Sequence, residues 1–114
     1  MVVRQGDLWW ADLPPPAGSE PGYRRPVIIV QSDLLNRTQI GTVVCVAVSS
    51  NLRLAEAPGN VRLPREASGL PMDSVANTSQ ILTLDRTWLE SQIGRLLPDL
   101  LRKVFDGIAL VLAR

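Results

Sequence analysis

Two adjacent arginines stand where a polar loop meets an apolar run. Arg24 and Arg25 follow the proline- and glycine-containing segment 14–23 and precede Pro26, after which Val27–Val30 is entirely apolar. A guanidinium group binds a phosphate through two charge-assisted hydrogen bonds of fixed geometry. A buried strand fixes the position of a side chain at its end, and the loop before it can close over a ligand. The junction therefore predicts a binding site for a phosphate group.

The chemistry available at such a site is limited by the residues that the chain lacks. There is no histidine, the usual acid/base residue near neutral pH. Glu20 is the only carboxylate in segment 14–23, and the single Cys45 lies in the apolar run Val43–Val48. One buried thiol allows neither a disulfide framework nor a metal cluster within the chain. A reaction at phosphate must therefore use arginine, hydroxyl and carboxylate groups, and we expect no metal and no cofactor.

The composition indicates an ordinary globular domain. With 114 residues, of which 46% are hydrophobic and 20% charged, we expect one domain over residues 1–114. The formal net charge is only +1, so charge alone does not indicate a nucleic-acid partner. Neither a signal-peptide pattern nor a run of about 18 apolar residues is present. We therefore expect a cytoplasmic protein that does not associate with a membrane.

The first half of the chain has the pattern of short strands separated by turns. Leu8 and Trp10 alternate with polar or small neighbours and are predicted to share one face of a strand. The segment 14–23 is too long for a simple hairpin turn, and loops of this length are often functional. The predicted elements are a strand over 6–12, a loop over 14–23, a strand from 25 or 26 to about 32, a helical turn over 33–37 and a strand over 42–49.

The second half alternates between turns and strands and then ends in a helix. Asp85 is a good N-cap for a brief helix, and Pro98 begins a terminal helix with apolar residues at a spacing of three and four. The predicted elements are a loop over 50–58, a short strand over 60–63, a turn-rich segment over 64–71, one bent strand or two short ones over 74–84, a helix from 85 to about 91, a strand over 93–96 and the terminal helix. These elements predict an α+β domain with a small, bent antiparallel sheet or partly open barrel, covered on one side by the terminal helix.

An ordered set of short motifs runs through the whole chain. The motifs are Gly6-Asp7, Gly18-Ser19-Glu20, Arg25-Pro26, Asn36-Arg37, the strand ending in Ser49-Ser50, the segment Leu70–Val75, and Gln80-Ile81 before the C-terminal helix. In this order and spacing the chain resembles the MazF/PemK family, the toxins of bacterial toxin–antitoxin pairs, which are sequence-specific RNA endonucleases. The resemblance implies an SH3-like, partly open barrel that forms a homodimer. It also implies metal-independent cleavage of single-stranded RNA and neutralisation by a MazE-like antitoxin.

The resemblance further assigns roles to individual residues. Arg25 falls on the catalytic arginine of the family. Ser49 falls on its catalytic hydroxyl, usually a threonine, and Ser50 is the alternative one residue later. Supporting roles in the loop fall on Ser19, Glu20 and Arg24, where Glu20 is either a general base or a group that orients the arginines. The positions expected to contact RNA are Ser32, Ser50, Asn51, Ser74, Asn77 and Gln80.

Other interpretations stay open on the residues alone. A non-catalytic toxin similar to CcdB, which poisons DNA gyrase, would need neither the arginine–proline junction nor a hydroxyl at the end of a strand. An RNA-binding barrel without catalytic activity is a third possibility. Trp9 and Trp10 could stack on bases, but a pair of tryptophans on a strand favours one core residue and one interface residue.

Overall fold

The structure, a computed structural model, describes residues 2–113. Six antiparallel strands form one sheet in the order β4-β5-β3-β2-β1-β6. The strands are β1 (Asp7–Leu13), β2 (Tyr23–Ile29), β3 (Thr42–Ser49), β4 (Val61–Leu63), β5 (Ser74–Asp85) and β6 (Leu89–Arg95). The α-helices are α1 (Asp33–Asn36), α2 (Arg65–Ser68) and α3 (Pro98–Val111), and 3-10 helices span Leu52–Glu56 and Arg86–Trp88. This architecture confirms the predicted α+β class with a bent antiparallel sheet and a C-terminal helix.

The sheet is apolar on both faces because its central strands carry hydrophobic residues at consecutive positions. Along β3 the side chains alternate between two clusters. The helix-side cluster, which packs against α3, includes Leu8, Ile28, Val46, Val48, Leu63 and Val104. The opposite-side cluster includes Trp9, Ala11, Val27, Ile29, Cys45 and Leu84. Two cores on one sheet therefore hold the ends of β2 and β3 in fixed positions.

Strand β5 is one long strand with an irregularity in its middle, which is the first of the two predicted alternatives. Its partner β3 pairs Val46 with Ile81 but the next residue, Ala47, with Asn77. The residues between Asn77 and Ile81 are therefore extra residues in β5, and such an insertion bends a strand. Among them, Thr78 is fully buried, and its hydroxyl donates to the Gly59 carbonyl at 2.8 Å.

Two predicted boundaries near the end of the sheet are wrong. The helix expected from Asp85 to about residue 91 is only the 3-10 turn Arg86–Trp88, although Asp85 does cap it by accepting from the Thr87 N–H at 2.9 Å. Strand β6 begins at Leu89 instead of Ile93, because Leu89 is buried and pairs with Ala11 of β1. Tertiary burial therefore overrides the local helix signal.

The second strand also differs from its predicted bounds. It begins two or three residues earlier than expected, at Tyr23, and ends at Ile29. Pairing with β1 explains the early start, because Leu13 lies opposite Tyr23 and Asp12 lies opposite Arg24. Both arginines therefore lie on a paired strand and not in the loop.

Helix α3 packs closely on the turn before β4. A Cβ atom added to Gly107 would overlap the carbonyl oxygen of Gly59. Only glycine allows this approach of helix to backbone, and the contact anchors α3 beside β4 and β5. No helix among the described residues is long and apolar enough to cross a membrane.

Candidate active site at the ends of β2 and β3

A cleft of about 280 Å³ opens where β2 begins and β3 ends. It brings together the two residues predicted to be catalytic, Arg25 and Ser49. The other lining residues are Trp10, Arg24, Pro26, Val48, Ser50, Leu70, Pro71, Met72 and Ser74. None of these side chains is a carboxylate, so the charge of the cleft is positive.

The register of the sheet explains why Arg25 and Ser49 meet. Val27 of β2 lies opposite Ala47 of β3. In an antiparallel pair, continuing this register by two residues places Arg25 opposite Ser49 on the same face. Pro26 restricts the residue before it to an extended backbone, which holds Arg25 in the strand.

Arg25 is held in place by the loop that precedes its strand. Its Nε donates to the Gly22 carbonyl at 3.0 Å, and the side chain is half-buried. Within residues 2–113, the ion pairs involve other arginines and no carboxylate lies within 4.0 Å of the Arg25 guanidinium. Its two terminal nitrogens are therefore available to an anionic ligand in the cleft.

Arg24 has a different environment from its neighbour. Its Nε donates to Glu90 of β6 at 2.7 Å, and the centre of its guanidinium lies 4.1 Å from the centroid of the Trp10 ring. Arg24 is thus exposed and already paired, whereas Arg25 is not. No local sequence pattern links Arg24 to Trp10 or to Glu90, which lies 66 positions away along the chain. Sequence reasoning therefore missed both partners.

Of the two tryptophans, which were predicted to be one core residue and one interface residue, Trp9 is the core residue. Trp9 is 7% exposed and belongs to the opposite-side cluster. Trp10 is half-buried on the other face and lines the cleft. Its ring is stacked against the guanidinium of Arg24.

The serine hydroxyls of the region differ in what they already bind. Ser49 is half-buried, and its Oγ accepts from the Asn51 N–H at 3.1 Å, which leaves its hydroxyl proton free to be donated. Ser50 is exposed at the rim of the cleft. Ser74 is buried and its hydroxyl donates to the Met72 carbonyl at 3.0 Å, so it supports the cleft wall. Asn51 lies outside the cleft and caps the 3-10 helix by accepting from the Arg53 N–H.

Glu20 contacts neither arginine. Its two carboxylate oxygens accept from the Ala17 N–H at 3.0 Å and the Gly18 N–H at 2.6 Å. Hydrogen bonds from the backbone N–H groups of Glu20 itself, Ala17 and Gly18 lower the pKa of this carboxyl below its usual value. The carboxylate therefore shapes the loop tip. Its weak basicity and its position disfavour the first of its two predicted roles, that of a general base, and its hydrogen bonds to the loop backbone do not support the second, that of orienting the arginines.

Asn77 and Gln80 lie on β5, next to β3. Asn77 pairs with Ala47, two residues before Ser49 on the same face. Its Nδ2 donates to Gln80 Oε1 at 2.9 Å, and Gln80 Nε2 donates to the Ser19 carbonyl at 3.0 Å. With Asn60, whose Nδ2 donates to Asn77 Oδ1 at 3.1 Å, these residues form what we call the amide chain.

Ser32 is the one predicted contact residue that the structure places far from the cleft. It follows the opposite end of β2, and its hydroxyl caps α1 by accepting from the Leu34 N–H at 3.1 Å. The seven residues of β2 separate the two ends by roughly 20 Å at the usual rise per residue. We therefore leave Ser32 out of the site.

Two further groups bear on the chemistry. Burial raises the pKa of the Cys45 thiol to about 12, which makes it inert as a nucleophile. In the part of the chain that the structure describes, no group of three or more His, Cys, Asp or Glu side chains has an arrangement that could hold a metal ion. The arrangement therefore offers guanidinium and hydroxyl groups to a phosphate.

Known proteins resemble this chain over nearly its whole length. Residues 4–112 match the family described as the PemK-like, MazF-like toxin of type II toxin–antitoxin systems. The chain is 43% identical over 112 residues to endoribonuclease MazF6 of Mycobacterium tuberculosis, and the match covers 98% of each protein. The crystal structure of MazF from Deinococcus radiodurans has a TM-score of 0.83 and 26% identity, and covers 100% of this chain and 99% of that one. A MazE–MazF structure from the same organism has a TM-score of 0.78 and 27% identity, with 99% and 97% covered.

Proposed function

Because the chain belongs to the PemK-like and MazF-like family of toxins of type II toxin–antitoxin systems, we propose that it is an endoribonuclease that cleaves single-stranded RNA without a metal ion. The observation that carries the proposal is the cleft in which Arg25 shares a face with the Ser49 hydroxyl, with two terminal nitrogens that pair with no group among residues 2–113. The curated relative named above is an endoribonuclease, which favours this function over a gyrase poison similar to CcdB.

The proposed reaction is an internal transesterification. The ribose 2′-oxygen attacks the adjacent phosphorus and loses its proton, the bond from phosphorus to the 5′-oxygen breaks, and that oxygen takes up a proton. The products are a 2′,3′-cyclic phosphate and a 5′-hydroxyl. No bound metal is needed because the nucleophile belongs to the substrate.

Arg25 is proposed to stabilise the charge that develops on the phosphoryl oxygens. A preorganised donor of this kind commonly contributes about 3–4 kcal/mol to the transition state. Ser49 has a free hydroxyl proton and is proposed to hold a phosphoryl oxygen or the 2′-oxygen in line. The aromatic ring of Trp10 and the apolar wall at Leu70 and Met72 would partly exclude water, which strengthens these interactions.

The partners are proposed on separate grounds. The MazE–MazF structure from Deinococcus radiodurans supports a MazE-like antitoxin as the protein that neutralises this chain. Exposed apolar side chains at the two ends of α3, namely Leu97, Leu110 and Leu112, support a homodimer in which they are covered. A cytoplasmic location, where messenger RNA is found, stays a prediction.

The function is tested with purified protein and one long RNA in EDTA. Cleavage sites are mapped by primer extension. A 5′-hydroxyl end is recognised because it can be ligated only after a polynucleotide kinase has phosphorylated it. We expect cleavage at a short recurring sequence, 5′-hydroxyl ends and no cleavage of the matching DNA strand, which lacks the 2′-hydroxyl. A requirement for divalent metal, or ends that carry 5′-phosphate, would contradict the mechanism.

A further inference from the structure

The hydrogen bonds of the amide chain (Asn60, Asn77 and Gln80) all donate in one direction, which backbone groups at its two ends impose. A carboxamide can present either its oxygen or its nitrogen to a partner, so a lone Asn or Gln does not define what it recognises. A backbone N–H can only donate and a backbone carbonyl can only accept. Amides that are anchored to backbone groups therefore have one allowed orientation.

The first amide, Asn60, is anchored twice. Its Oδ1 accepts from the Thr78 N–H at 2.9 Å, and its Nδ2 donates to the Leu54 carbonyl at 2.9 Å. Turning this side chain over would place an N–H against an N–H and an oxygen against an oxygen. Since Asn60 Nδ2 faces Asn77 at 3.1 Å, the group of Asn77 that accepts it must be the oxygen.

The orientation of the Asn77 amide then fixes that of Gln80, the last residue of the amide chain. Asn77 has its oxygen engaged, so its Nδ2 points to Gln80 and requires Oε1 there, at 2.9 Å. Gln80 consequently presents its Nε2 outward, where the Ser19 carbonyl accepts it at 3.0 Å. Gln80 is half-buried and Ser19 is exposed, so a ligand can reach this donor by displacing the loop.

We infer that Gln80 is a specificity-determining residue whose fixed N–H donor selects RNA bases that present a carbonyl oxygen at one position of the recognised sequence. This inference rests on the proposed function and deepens it. The base carbonyl takes the place of the Ser19 carbonyl, so binding of the correct base also releases loop 14–22 from β5. A base that presents an exocyclic amine at the same point meets a second donor and is rejected.

The position of the chain beside the cleft supports this role. Asn77 lies opposite Ala47, and Ser49 is two residues further along β3 on the same face. Side chains at diagonal positions on paired strands lie about 7–8 Å apart, roughly the distance between neighbouring nucleotides in an extended strand. A phosphate held at Arg25 and Ser49 would therefore place a neighbouring base near Gln80.

The test uses RNA oligomers in which a base carbonyl is removed at each position of the mapped cleavage sequence. Replacing guanine by 2-aminopurine removes the O6 carbonyl and the adjacent N1–H, and replacing uracil by 2-pyrimidinone removes the O4 carbonyl and the adjacent N3–H. For the wild-type protein we expect one position at which loss of a carbonyl lowers kcat/KM about threefold to tenfold, the usual worth of one hydrogen bond. Gln80→Ala should be insensitive to the same replacement, to within about twofold.

A second variant reverses the direction without altering Gln80. Asn77→Asp keeps an acceptor for Asn60 but cannot donate, so Gln80 Nε2 must turn to the new carboxylate and Oε1 must face outward. We expect its preference at that position to move from a carbonyl to an amine. Gln92→Ala is the matched control, because Gln92 donates to the Gly94 carbonyl but belongs to no such chain; its base preference should equal that of wild type.

Binding of the same oligomers with a 2′-deoxy scissile nucleotide, measured by fluorescence anisotropy, gives a readout that does not depend on catalysis. Cleavage with 5′-hydroxyl ends but with equal atom sensitivity in wild type and Gln80→Ala would overturn this inference alone. Absence of both cleavage and binding would overturn the proposed function and this inference with it.

Discussion

At the scale of single residues, the two adjacent arginines differ in what already holds them. Arg24 is exposed, ion-paired with Glu90 at 2.7 Å and stacked on Trp10. Arg25 is half-buried, and the one side-chain hydrogen bond that it makes within the described part of the chain joins its Nε to Gly22. Preorganisation with free donor atoms is what stabilises developing charge. Arg25 therefore suits catalysis, and Arg24 suits attraction of the RNA backbone.

Replacing Arg25 by alanine should lower the cleavage rate by about two to three orders of magnitude, since one preorganised oxyanion donor is lost. Arg25→Lys should also be slow, because an ammonium group cannot reproduce the planar fork. Single-turnover cleavage of a fixed RNA measures both effects, and RNA binding should change little. Near wild-type cleavage by Arg25→Ala, with weaker binding, would mean that Arg25 only docks the substrate.

Arg24→Ala is the matched variant one position away. It should weaken RNA binding and reduce the slope of log K against log salt by about one, because one phosphate contact is lost. Binding titrations at several salt concentrations measure this slope. A large loss of single-turnover rate at saturating RNA would instead place Arg24 in the catalytic machinery.

The loop carboxylate Glu20 allows a test of the base hypothesis. Glu20→Gln should keep cleavage at pH 7 within about threefold of wild type, because one side-chain oxygen can still accept from the loop N–H groups. If Glu20 were a general base, this change would instead lower the cleavage rate about a hundredfold or more.

The pKa of Glu20 is lowered in the folded protein, so its support of the loop is fully present above the ordinary value of 4.5 and is lost as pH falls through the lowered value. A pH–rate profile of both proteins compares these outcomes.

At the scale of secondary-structure elements, the cleft depends on how α3 is anchored. Helix α3 packs on the helix-side cluster through fully buried Val104 and meets the turn before β4 at Gly107 and Gly59. That turn leads to Asn60, the first residue of the amide chain. Movement of α3 away from β4 would therefore alter the site at β5.

Gly107→Ala should destabilise the fold by about 1–3 kcal/mol, because the added methyl overlaps the Gly59 carbonyl and backbone must shift. Urea unfolding followed by circular dichroism measures the change in free energy of unfolding. Gly41→Ala is the control, since a Cβ atom there meets nothing within 4 Å, and its effect should stay within about 0.5 kcal/mol. Equal stability of the two variants would show that the contact between α3 and the turn is not close.

At the scale of the whole molecule, apolar surface stays uncovered in the single chain. Leu97, Leu110 and Leu112 are each 57–59% exposed at the two ends of α3. Light scattering at micromolar concentration should give about twice the 12.5 kDa mass of one chain, since a symmetric dimer is the commonest way to cover such a surface. A mass equal to that of one chain would contradict the proposed homodimer.

The local parts of this protein follow from the sequence itself. Strand β3 has the predicted bounds Thr42–Ser49, and α3 begins at Pro98 as predicted. Continuous apolar runs, a proline at a helix start and the Arg25-Pro26 pair are signals carried by neighbouring residues. Such signals act over a few positions and do not depend on how the sheet closes.

Only the tertiary structure decided which distant residues meet. The pairing of Arg24 with Glu90, the extra residues of β5 before Ile81 and the direction of the amide chain all depend on strand register. The same holds for Ser32, which strand length carries to the end of β2 away from the cleft. Register is set by burial summed over the whole sheet, and a one-residue shift would turn every side chain to the other face. No local pattern contains that sum. The family resemblance singled out Arg25 and Ser49, but the partners of Arg24 and Gln80 could not be predicted from the sequence.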